Sequence, residues 1–114
     1  MIYHNSIRLV ENIYCYIWMG RGNNCNTVLF PRVLRGERPH VLVDPGCIKD
    51  ELGEPCFDSL VQAMDKDGFK VEDIGLVIIT HSHPDHFEAA QPVAERSGAL
   101  VTLSREESEF YQTV

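Results

Sequence analysis

The chain has 114 residues, 44% of them hydrophobic, and a formal net charge of −7. That length fits one domain or part of one, and the apolar fraction excludes a disordered chain. The negative balance argues against a general nucleic-acid binder, which needs clustered Lys and Arg to neutralise phosphates. The basic cluster Arg32, Arg35 and Arg38 is broken by Pro31, Gly36 and Pro39 and reads as a solvated loop.

The opening residues, Met1 to Arg8, lack a basic segment leading into an apolar core, so no secretory signal is visible. The first half then reads as β. Residues 13–18 are rich in β-branched and aromatic side chains, and a turn cluster follows at 20–24. Residues 26–30 return as a strand stopped by Pro31, and Val41, Leu42 and Val43 form a short buried strand ending in the turn Asp44-Pro45-Gly46. The longest apolar run, Ile13 to Met19, falls far short of the ~20 residues that a membrane-spanning helix needs.

Helical spacing takes over next. Phe57, Leu60, Val61 and Met64 make one apolar stripe, closed by Gly68. Residues 75–80 are a continuous apolar run of strand length, as expected where both sheet faces are covered. A second helix should open near Pro84 and end before Gly98, with a kink or restart at Pro92, where a proline in a regular helix costs ~3 kcal/mol or more. Residues 100–103 predict another strand, and the capping box Ser104 to Glu107 a last helix. Strands alternating with helices after residue 40 imply a layered α/β architecture. The cysteines at 15, 25, 47 and 56 form no Cys-x-x-Cys pair. Without an export signal, reduced thiols in the cytoplasm are expected, with Cys15 as a small buried hydrophobe.

The chemistry concentrates directly after the most apolar strand, in His81-Ser82-His83-Pro84-Asp85-His86. In an extended chain residues two apart share a side, so His81 and His83 can grip one metal. Pro84 disfavours helical backbone at His83 and keeps it extended. The turn into a helix then re-aims Asp85 and His86 toward a neighbouring point. Imidazole and carboxylate suit zinc, and also iron or manganese. Two such ions ~3.5–4 Å apart could share one hydroxide at neutral pH and stabilise developing charge on a polarised oxygen. The competing reading, solvated histidines in a polar loop with Asp85 as a helix cap, is outweighed by three histidines at this spacing.

Residues 80–86, Thr-His-Ser-His-Pro-Asp-His, resemble the principal metal motif of the metallo-β-lactamase superfamily. Residues 41–46 are similar to the strand and turn that precede it there, and residues 26–30 to the earlier Asn-bearing strand. The resemblance implies an α/β fold: the N-terminal half of an αββα sandwich, with residues 1–114 as a single domain truncated on its C-terminal side. It implies His81 and His83 as ligands to a first metal, Asp85 and His86 to a second, Asp85 as the catalytic carboxylate, and Asp44 behind them orienting the motif loop. For Asp44 a plain turn opener remains an equal alternative.

The family's second half supplies further ligands, whereas no histidine follows His86 in this chain. A catalytic zinc normally keeps three protein ligands, and here each ion would have two. The expectation is therefore half of a metal-dependent hydrolase acting on a small molecule with one or two zinc ions, completed by a missing C-terminal half or by self-association. The alternatives are an iron-dependent oxidoreductase resembling the persulfide dioxygenases, or a fragment that binds metal without catalysis. Diiron electron-transfer relatives usually carry Glu where His83 stands, which lowers that branch.

Overall fold

The computed structural model describes residues 2–103. Six strands form one sheet, hydrogen-bonded in chain order: β1 (His4–Val10), β2 (Ile13–Trp18), β3 (Thr27–Phe30), β4 (His40–Val43), β5 (Ile74–Ile79) and β6 (Leu100–Leu103). The first four pair antiparallel, and β4, β5 and β6 run parallel. The change follows from the connections. Short turns return a strand beside its neighbour in the opposite sense, whereas parallel strands need long crossovers. Here the crossovers carry helix α1 (Cys56–Lys66) with a 3-10 turn at Val71–Asp73, then α2 (Pro84–Phe87) and α3 (Ala90–Ser97).

The apolar stripe of α1 packs as its spacing predicts, with Phe57, Leu60 and Met64 buried in the main core. The sheet contributes Tyr16, Leu29, Leu42, Val77 and Ile79 to that core, and α3 adds Ala90 and Val93. Side chains alternate along a strand, so the opposite sheet face carries Cys15, Val28, Val43, Leu76 and Ile78, which are half-buried, and Leu100, which is exposed. Every buried apolar residue of α1 and α3 lies on the core side, apart from Cys56. The expectation that both faces of β5 are covered is thus met on one face only, among the described residues.

One strand was missed and two local readings are corrected. Strand β1 was not apparent in the sequence because it is an edge strand held by backbone pairing to β2, with His4 buried and its other six residues exposed. The expected long helix is divided at Glu88 and Ala89, not at Pro92. Pro92 lies in the first turn of α3, where backbone N–H groups have no partner within the helix and a missing one costs little. Gly98 ends α3 in a left-handed conformation (φ 76°), its N–H on the Ala94 carbonyl at 2.7 Å. Cys15 is half-buried because it lies on the open face, whereas Cys25, Cys47 and Cys56 are buried, and all four are free thiols. The helix expected from Ser104 lies outside the described residues. No helix among them is long and apolar enough to cross a membrane.

Candidate metal centre

The site forms where adjacent parallel strands end together. Val43 of β4 pairs with Ile78 of β5, so the residues that follow, Asp44 and Thr80, meet at the same sheet edge. Ligand sites in α/β sheets gather at such carboxyl ends. The Asp44 backbone is held on two sides, its N–H donating to the Ile78 carbonyl at 2.9 Å and its carbonyl accepting from Thr27 Oγ1 at 2.7 Å. Its φ of 53° is left-handed, which Asp tolerates better than most residues because a short polar side chain can bond locally.

The turn after Asp44 clamps the histidine segment. Gly46 N–H donates to the His86 carbonyl at 3.1 Å, and Ala89 N–H returns to the Gly46 carbonyl at 2.7 Å. Gly46 has φ 88°, and a Cβ there would lie 2.4 Å from Asn24 Oδ1, so neither backbone nor space admits a side chain. Asn24 Oδ1 accepts from Cys47 N–H at 2.9 Å, Cys25 N–H donates to the Asp85 carbonyl at 3.2 Å, and Ile48 N–H reaches Glu88 Oε1 at 2.6 Å. The loop bearing the motif is thereby sewn to two preceding loops by backbone bonds.

Within the motif, His83 is extended (φ −97°, ψ 143°) and Pro84 opens α2, as the pre-proline restriction predicts. Ligand-capable atoms of Asp44, His81 and His86 all lie within 4.8 Å of one another. The Asp44 carboxylate is buried, accepting from Thr80 N–H on Oδ1 at 2.8 Å and from the Thr80 hydroxyl on Oδ2. His86 Nδ1 lies 3.1 Å from Asp44 Oδ2. That contact is off the line of a hydrogen bond, and the buried nitrogen has no other partner. Asp85 Oδ2 sits 3.9 Å from His86 Nε2, and Thr80 Oγ1 is 2.8 Å from His81 Nδ1.

Of the residues singled out from sequence, Asp44, His81 and His86 converge, and Asp85 stands beside His86. His83 is outside that trio but lines, with Asp85, His86 and Glu88, an open cleft of about 560 Å³. Two imidazoles and a carboxylate about one point, with a buried His86 nitrogen lacking a hydrogen bond, fit a divalent ion. Sequence reasoning missed Thr80 as a working part of the site. The available signal was its hydroxyl at the strand end, immediately before the first histidine.

Nearby thiols are not poised as nucleophiles in the metal-free chain. Burial pushes the Cys47 thiol up to about 11, helped by the carboxylates of Glu88, Asp85, Asp50 and Glu51. Burial, followed by Asp44, Asp85 and Cys47, raises Cys25 as well. Both stay protonated at neutral pH in the metal-free chain, and it is the thiolate that reacts.

A family model described as the metallo-beta-lactamase superfamily matches residues 21–113, well over half of the chain. The chain belongs to the metallo-beta-lactamase superfamily. It is 41% identical over 44 residues to a UPF0173 metal-dependent hydrolase of Rubrobacter xylanophilus, a stretch covering 39% of this chain and 18% of that protein. Among solved structures, Rm3 metallo-beta-lactamase superposes with a TM-score of 0.68 at 27% identity, over 91% of this chain and 34% of that one. MEM-A1, a subclass B3 metallo-beta-lactamase from a soil metagenome library, superposes with a TM-score of 0.70 at 23% identity, over 95% of this chain and 36% of that one. This chain therefore spans about a third of the length of these structures.

Proposed function

We propose that this chain carries part of the metal centre of a metal-dependent hydrolase. In this reading His81, His83, Asp85 and His86 hold one or two zinc ions, and Asp44 orients the loop that presents them. The observation that carries the reading is the convergence of Asp44, His81 and His86 ligand atoms within 4.8 Å at the carboxyl edge of the parallel strands. Membership of the superfamily and the partial match to a metal-dependent hydrolase support it. A bound divalent ion would polarise a carbonyl or phosphoryl oxygen and acidify water for attack. Asp85, with its side chain 42% exposed beside His86, would hold the ion through one carboxylate oxygen and leave the other to take or give a proton in that step.

The proposed substrate is a small molecule with an ester, thioester, amide or phosphoester bond. The remaining ligands would come from a C-terminal half or from a second copy, packed on the open sheet face. A cytoplasmic setting suits four free thiols. The test is elemental analysis after dialysis of the wild-type chain and of the H81A/H86A variant. Retained zinc in the first and none in the second is expected. Equal metal in both would move the site elsewhere, and near-stoichiometric iron with little zinc would turn the reading to the dioxygenase branch.

A further inference from the structure

We infer that the Thr80 hydroxyl is a positioning group that fixes the tautomer of His81 by linking its ring to the buried Asp44 carboxylate. The inference rests on the metal-centre reading above, and the proton count carries it. An ionised carboxylate only accepts. Asp44 takes the Thr80 N–H on Oδ1 at 2.8 Å and the Thr80 O–H on Oδ2. A threonine hydroxyl has a single proton, so once that proton is committed to Asp44 the oxygen can only accept. The group on its other side, 2.8 Å away, is His81 Nδ1, which must therefore be the donor. A neutral imidazole carries one N–H, so the lone pair of His81 is on Nε2.

His86 is not held in this way: its buried Nδ1 lies 3.1 Å from Asp44 Oδ2, off the line of a hydrogen bond, and has no other partner. Carboxylates and carbonyls behind a ligating histidine commonly set its tautomer. Here a carboxylate does so for His81 through a threonine, and that arrangement is complete before any ion arrives.

The test uses the full 114-residue chain, labelled with nitrogen-15 and free of metal. Imidazole nitrogen shifts should show His81 protonated on Nδ1. In Thr80→Val the backbone bond to Asp44 remains and only the hydroxyl is lost; His81 should then populate the other tautomer while His86 keeps its own. Zinc affinity, measured by chelator competition, should fall about 10–100-fold in Thr80→Val, the usual cost of removing such a partner, and return in Thr80→Ser. A wild-type His81 protonated on Nε2 would overturn the inference by itself, whether or not the valine variant folds. So would a Thr80→Val protein with unchanged tautomer and affinity. A wild type that shows the Nδ1–H tautomer of His81 yet takes up no zinc would defeat the metal reading and uphold the Thr80 relay.

Discussion

Asp44 offers a clean separation of backbone strain from electrostatic positioning. In Asp44→Asn the left-handed φ of 53° stays accessible, because Asn tolerates it as well as Asp does. The amide oxygen can still accept from Thr80 N–H, now 2.8 Å from Oδ1. What changes is the other atom: an NH₂ replaces the oxygen that faces the Thr80 hydroxyl and His86 Nδ1. Stability of the metal-free chain should therefore fall by about 1.5–3 kcal/mol, since the Thr80 hydroxyl loses a hydrogen bond to a charged group while the backbone is unchanged. Zinc affinity should fall about 10–100-fold, equivalent to about 1.4–2.8 kcal/mol. Asp44→Ala adds two costs. It leaves the part-buried Thr80 N–H without its partner, at about 0.5–1.5 kcal/mol, and puts a residue without local side-chain bonding in the left-handed region, at roughly 1 kcal/mol more. Urea unfolding of the metal-free proteins and chelator competition with zinc measure the two quantities separately. The reasoning is refuted if Asn and Ala destabilise equally, or if Asp44→Asn binds zinc as tightly as wild type.

Two further outcomes follow from elements away from the motif. His4 is buried against Trp18 with its Nδ1 on Ser59 Oγ at 2.7 Å, and burial lowers its pKa from 6.5 to about 4. The unfolded chain then binds the extra proton first, so stability is full above about pH 6.5 and is lost as pH falls toward 4. Urea midpoints measured across that window should slope in the wild type and flatten in His4→Gln; parallel curves would refute the assignment. The half-buried face carrying Val28, Val43, Leu76 and Ile78 should drive self-association of the isolated chain. Sedimentation velocity should show the wild type as dimer or larger and Ile78→Glu as monomer, and a monodisperse wild-type monomer would contradict it.

Much of this architecture was legible locally. The α1 stripe, the apolar run of β5 and the proline at the start of α2 each act over a few residues, through periodicity or φ restriction, and the structure follows them. The histidine motif was legible for the same reason, since its three histidines and aspartate lie within six residues, but the side chains that meet are His81, His86 and the distant Asp44, not the expected pair His81 and His83. Strand β1 was hidden because an edge strand exposed along six of seven residues carries no burial pattern. The break before α3 was misplaced because Pro92 can be accommodated in a first turn as readily as it can interrupt a helix.

What only the tertiary structure decided is which groups share a proton or a ligand position. Asp44 and Thr80 are 36 residues apart, and nothing near either of them specifies the other. They meet because β4 and β5 pair in parallel with Val43 beside Ile78, a register set by burial of Leu42 and Val77 in the core. The sequence by itself determined which metal-capable side chains are present and their local spacing. The sheet register determined that one buried carboxylate stands behind two of the histidines.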